Sequence, residues 1–121
     1  MIKILIVGDQ AILSRGLCMQ LSLEADLEVV GEAENASKAL EVIPNLKPDL
    51  IVLDLEMYKT DGLSNFEIIR GSYPDIPVIM LSIHDWQEDR ARAKADGMNA
   101  FISDPSELIT EIHRVVNQRY R

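Results

Sequence analysis

Cysteine occurs once in these 121 residues, so no internal disulfide can form. Cys18 falls beside Leu17 and Leu21 on the apolar side of a predicted helix, where a thiol behaves as a small hydrophobe. Histidine occurs twice, as His84 and His113, and with a single thiol that is too little for a zinc or other transition-metal site. Basic side chains number 12 against 20 acidic ones, and the net charge of −8 excludes direct nucleic-acid binding by phosphate neutralisation. A protein or a cation is the natural partner. No apolar run reaches the roughly 18 residues that a membrane span needs, and no charged and apolar leader opens the chain. The expectation is a soluble, cytoplasmic protein. No repeat, low-complexity tract or linker divides the sequence, and its length suits one hydrophobic core, so residues 1–121 are read as a single domain.

Apolar residues make up 47% of the chain, arranged as short runs between segments of helical period. The runs are IKILIV (2–7), LEVVGE (27–32), DLIVLD (49–54), IPVIMLS (76–82) and NAFIS (99–103). They are rich in Ile, Val and Leu and do not alternate with polar residues, as expected of strands covered on both faces. Between them, Leu13, Leu17 and Leu21 share one helical face, then Ala36, Leu40 and Ile43, then Leu63, Phe66 and Ile69. A last helix from Ser106 carries Leu108, Ile112 and Val115 or Val116, with Pro105 in its first turn. The fourth helical segment, DWQEDRARAKADG, has only Trp86 and scattered alanines as an apolar stripe, so the loosest packing is expected there. Five βα units predict an α/β fold with a parallel sheet between helices.

In such a sheet, ligands lie outside the carboxyl ends of the strands. Asp9 follows the first strand, Asp54 ends the third, Ser82 the fourth, and Asp104 follows the fifth. Each acid taken alone reads equally as a helix N-cap or turn residue. Three carboxylates and a hydroxyl on one edge repel unless a cation joins them, which points to a hard divalent ion such as Mg²⁺.

The segment DLIVLDLEMYKTDG (49–62), with its VLDLEM and DGL, resembles the phosphoacceptor segment of response-regulator receiver domains, and the resemblance extends over the whole chain. DLEVVGEAENASKAL and YPDIPVIMLS are similar to receivers of the class that carries a LuxR-type helix-turn-helix output domain. The resemblance implies a CheY-like, flavodoxin-like (βα)5 three-layer sandwich with strand order 2-1-3-4-5. It also implies a non-enzymatic module of two-component signalling. By the same resemblance Asp54 is the phosphoacceptor, Asp9 a direct ligand of Mg²⁺, and Glu56 a ligand through its backbone carbonyl. Ser82 and Phe101 become the phosphorylation switch residues. Partners implied are a histidine kinase or other signalling protein, and a second copy or an output domain on the face of the fourth helix, fifth strand and fifth helix. Arg90, Arg92 and Lys94 supply charges for that face.

Three departures from the family pattern fall at the site. VGDQ gives Gly8 before Asp9, where the family has a pair of acids. FISDPSEL gives Asp104 where the family has a lysine that bonds the phosphoryl group. At about 4 Å and an effective dielectric of about 20, one charge pair is worth roughly 4 kcal/mol, so this reversal penalises the phosphorylated state by several kcal/mol. Asp104 either caps the following turn or replaces, at the cation, the acid missing at Gly8. Tyr58, Lys59 and Thr60 stand where the family has proline, glycine and methionine. The expectation is an atypical receiver with impaired phosphorylation and weak Mg²⁺ binding; the alternative is a conventional receiver phosphorylated on Asp54 and controlling a DNA-binding output domain. A small aspartyl-phosphate hydrolase fits less well, since no cap segment is present. His84 stands where receivers tune dephosphorylation and reads equally as surface; Trp86 covers the fourth helix or marks a partner surface.

Overall fold

The structure is a computed structural model in which residues 1–55, 62–82, 91, 94 and 99–119 are described. Five strands form one parallel sheet in the order β2-β1-β3-β4-β5: β1 (Ile2–Val7), β2 (Leu27–Ala33), β3 (Leu50–Asp54), β4 (Val78–Leu81) and β5 (Ala100–Ile102). The helices are α1 (Ala11–Ser22), α2 (Ala36–Leu46), α3 (Gly62–Ser72) and a C-terminal helix (Leu108–Arg119). Every residue of β3 and β4 is buried, which is why these strands are continuously apolar.

Strand alternation divides the core in two. Ile4, Ile6, Leu50, Val52, Ile79 and Leu81 pack with Leu17 and Leu21 of α1 and with Leu108 and Ile112 of the C-terminal helix. Leu5, Val7, Ile51, Leu53, Val78 and Met80 face Ala36, Ala39 and Ile43 of α2 and Phe66 and Ile69 of α3. The buried Asn65 of α3 fastens that second layer, its Oδ1 accepting the Ala36 N–H at the start of α2 at 2.7 Å. Asn35 caps α2 by accepting from the Lys38 N–H at 3.0 Å.

The register of β1 with β2 skips Val30, pairing Ile4 with Val29 and Leu5 with Gly31. Gly31 permits a close approach there, since a Cβ would lie 2.7 Å from Cδ1 of Leu46. At the opposite edge, Arg70 donates to the carbonyls of Pro74 and Ile76 and to Oδ1 of Asn99, which also accepts from the Val78 N–H. This network ties α3, β4 and β5 together.

The strands β4 and β5 are shorter than the runs 76–82 and 99–103 suggest. Pro77 has no N–H for the ladder, and the first N–H of β4 goes to the Asn99 side chain. Pro105 opens a 3-10 turn (Pro105–Glu107) rather than the α-helix itself, which begins at Leu108. Of the fourth helical segment, 85–97, only Ala91 and Lys94 are described, both helical and exposed.

Candidate functional site

The order 2-1-3-4-5 reverses direction between β1 and β3, and the crevice at their carboxyl ends is where such sheets bind ligands. Val7 pairs with Leu53, so the next residues, Gly8 and Asp54, stand side by side. A Cβ built on Gly8 would lie 3.1 Å from Cβ of Asp54 and 3.5 Å from its Oδ2. An acid at position 8, where the resemblance implies the first of a pair, would therefore touch the Asp54 side chain directly. Asp54 is 3% exposed, and its Oδ2 is buried. Gly8 is held by its N–H bond to the Ala33 carbonyl at 2.8 Å.

The same edge continues through β4 and β5. Asp54 pairs with Leu81, and Leu55 donates to the Leu81 carbonyl at 2.9 Å. Ser82, 1% exposed, follows Leu81 and donates its backbone N–H to the Ile102 carbonyl at 2.9 Å. Phe101, half-buried on β5, packs against the α2–α3 layer of the core. Asp9, Asp54 and Ser82 thus follow or end neighbouring strands on one edge, with Gly8 beside Asp54. Glu56, Tyr58, Lys59, Thr60, His84, Trp86, Arg90 and Arg92 lie outside the described residues.

Asp104 takes the cap alternative. Its Oδ1 accepts the Ser106 N–H at 2.9 Å, and its backbone carbonyl accepts from Glu107 at 3.0 Å. The bonds to Ser106 hold its carboxyl below the ordinary carboxylate range, although the side chain is exposed. The acid in the lysine position is thus a capping group, and the expectation that it replaces the lost acid at a cation gains nothing from this geometry. Among the described residues, no group of three or more His, Cys, Asp or Glu is placed to hold a metal ion.

A cavity of about 280 Å³ opens beside Gly8, lined by Gly8, Asp9, Ala11, Ser14, Glu32, Ala33 and Glu34. Glu32 and Glu34 are site neighbours that the sequence reading passed over. The signal was available, because order 2-1-3 brings the end of β2 next to the end of β1. Cys18, half-buried against the core, has its thiol pushed up to about 11 by burial first and then by Glu32. It is a protonated packing residue, as its place on the apolar side implies.

The response regulator receiver domain model matches residues 4–116. This chain belongs to the receiver domain family. It is 33% identical over 119 residues to the response regulator protein VraR of Staphylococcus saprophyticus, covering 96% of this chain and 57% of VraR. It is 48% identical over 80 residues to a protein-glutamate methylesterase/protein-glutamine glutaminase of Carboxydothermus hydrogenoformans, covering 66% of this chain and 23% of that protein. The receiver therefore spans about half of one relative and a quarter of the other. A LuxR-family two-component response regulator from Aurantimonas sp. superposes with a TM-score of 0.86 at 24% identity, over 97% of this chain and 86% of that one, which shows the shared fold. The CheY-like, flavodoxin-like architecture with order 2-1-3-4-5 is as the sequence predicts.

Proposed function

We propose that this receiver is an atypical, non-enzymatic signalling module whose Asp54 accepts a phosphoryl group poorly. The observation that carries this reading is Asp104: where the family has a cation for the phosphoryl group, this chain has a carboxylate committed to the Ser106 N–H at 2.9 Å. Gly8 adds to it by removing the acid that would touch Asp54.

In the chemistry available to the site, an Asp54 carboxylate oxygen attacks phosphorus in line. The bond from phosphorus to the donor's nitrogen or oxygen breaks, the leaving group departs with that electron pair, and an acyl phosphate remains. A bound Mg²⁺ would neutralise phosphoryl oxygens. The donor set would suit that ion weakly: Asp9 and Asp54 are hard carboxylates on one edge, the family resemblance assigns the Glu56 carbonyl as a third ligand, and Mg²⁺ tolerates so few protein ligands by keeping its waters. The buried side of Asp54 and the β-strand end fix its orientation, while Ser82 and Phe101 are the switch hydroxyl and aromatic. What position 104 fails to supply is positive charge against the transferred group.

Partners on this reading are a histidine kinase or other cytoplasmic signalling protein, and a second copy or an output domain against the face of the fourth helix, β5 and the C-terminal helix. Incubation with acetyl phosphate and Mg²⁺, followed by intact-mass measurement, tests the proposal. Little or no gain of one phosphoryl group is expected. Rapid, near-complete uptake would overturn it in favour of a conventional receiver, the reading that the burial of Asp54 beside Ser82 favours. Asp104→Lys combined with Gly8→Asp is expected to raise uptake.

A further inference from the structure

The end of β2 meets the start of α1 across the cavity of about 280 Å³ beside Gly8. The polar side chains in its lining are three carboxylates, Asp9, Glu32 and Glu34, and the hydroxyl of Ser14. Glu32 lies on β2 and Glu34 just past its end. Glu32 also neighbours the Cys18 thiol, one helical turn beyond Ser14. No cation answers these two acids. Among the described residues Glu41 meets Lys38, Asp26 meets His113 and Glu111 meets Arg114, whereas no Lys, Arg or His pairs with Glu32 or Glu34.

Acids alone are ordinary at a strand end, and Ser14 is what sets this place apart. It stands near the start of α1, is only 7% exposed, and turns into the cavity. A serine in a helix commonly returns its hydroxyl to the carbonyl four residues back. Here the Gln10 carbonyl takes the Ser14 backbone N–H at 3.0 Å, and among the described residues the Ser14 hydroxyl makes no hydrogen bond. A buried hydroxyl without a partner lowers stability, and a group seated in the cavity supplies that partner.

The lining selects the class of ligand. Acceptors of one sign call for a cation with several N–H donors. A metal ion held by these residues alone does not fit, because among the described residues no three acids, thiols or imidazoles are placed to hold one. A guanidinium does fit: it is planar, reaches several acceptors at once with its five N–H groups, and pairs with carboxylates through two parallel bonds. Ala11 and Ala33 offer methyl walls for its alkyl stem. The volume is small for a ligand site and suits one such group on a short stem.

We infer that the cavity between α1 and the end of β2 binds a guanidinium group, whose N–H groups donate to Glu32, Glu34 and the Ser14 hydroxyl while Asp9 adds a third negative charge. The inference does not depend on phosphorylation of Asp54, and Mg²⁺, for which Asp9 is the proposed ligand, is kept out of the test by EDTA. Methylguanidinium chloride replaces sodium chloride at constant ionic strength while the amide signals are followed by NMR. Saturable shifts at residues 8, 9, 14 and 32–34 are expected, with a dissociation constant on the order of 10 mM. Tetramethylammonium, equal in charge but without N–H donors, is expected to shift none of them. Glu32→Gln and Glu34→Gln are each expected to weaken binding roughly threefold or more. Ser14→Ala is expected to weaken it while leaving the free protein at least as stable, since no buried hydroxyl then lacks a partner. Glu41→Gln, on α2, is expected to change nothing. Acetyl-arginine amide binding as tightly as methylguanidinium upholds the site and names an arginine of a partner protein as the source of the group; its rejection while methylguanidinium binds upholds the site for a free small guanidine. The inference is overturned by no saturation up to about 100 mM, by equal shifts with tetramethylammonium, or by unaltered affinity in Ser14→Ala or in both glutamine variants.

Discussion

Replacing Gly8 by aspartate sets a second carboxylate against Asp54, and the structure fixes how closely. The new Cβ starts 3.1 Å from Cβ of Asp54, so the two side chains must yield by a few tenths of an ångström and remain in contact. With carboxylates about 5 Å apart and an effective dielectric of about 20, the repulsion in the metal-free protein is about 3 kcal/mol. For a domain of this size a loss of that order lowers Tm by roughly 10 °C. The coupled pair raises one carboxyl above its unfolded pKa, so the destabilisation is full at neutral pH and is relieved as pH falls through that raised value. Mg²⁺ joins the two acids instead of leaving them to repel, and is expected to return most of the lost Tm at about 10 mM, whereas the wild type gains little. Calorimetry of both proteins in EDTA and in Mg²⁺ measures each part. If Gly8→Asp melts like the wild type in EDTA, residues 8 and 54 are not adjacent as the strand register requires. If Mg²⁺ restores nothing, this edge does not hold the cation.

Two further outcomes follow from contacts away from that edge. Asn65→Ala leaves the buried Ala36 N–H without its 2.7 Å acceptor and is expected to cost about 1–3 kcal/mol in urea unfolding, with no loss meaning that water replaces the amide. Asp26, bonded to Nε2 of His113 at 2.7 Å, has its carboxyl held below the ordinary value of 3.8 chiefly by that bond. Its stabilisation is therefore complete above pH 3.8 and lost as pH falls through the lowered value. Asp26→Asn is expected to melt below the wild type at pH 6 and together with it at pH 2; equal melting at both would show that the pair contributes nothing.

Strand residues were legible because burial on both faces leaves no polar alternation: Leu50–Leu53 and Val78–Leu81 read as strands from composition alone. Asp54 stood out since an acid at the end of such a run has no packing role. The adjacency of Gly8 and Asp54 was not legible, because it depends on the pairing of Val7 with Leu53, which no local pattern encodes. Nor was the choice made by Asp104. An Asp-Pro-Ser sequence serves a cap and a site ligand with the same spacing, and only the 2.9 Å bond from the Ser106 N–H separates them.

The two departures at the site act unequally on its two ligands. Relative to the family pattern, Gly8 removes one negative charge beside Asp54, while Asp104 replaces a positive charge by a negative one. The acid count is conserved, but the acid has moved from contact with Asp54 to an exposed cap. On the function proposed above, a cation loses one neighbour, whereas a phosphoryl group loses its counter-charge and gains an opposing one, so the phosphorylated state is expected to be weakened more than the metal-bound state. Under that reading the arrangement of Ser82 and Phe101 cannot be driven by phosphate, and a bound protein must drive it by preferring one arrangement. Moving such a switch from 1:99 to 99:1 takes about 5.5 kcal/mol of differential affinity. That difference must come from contacts which a bound partner makes in one arrangement and not in the other.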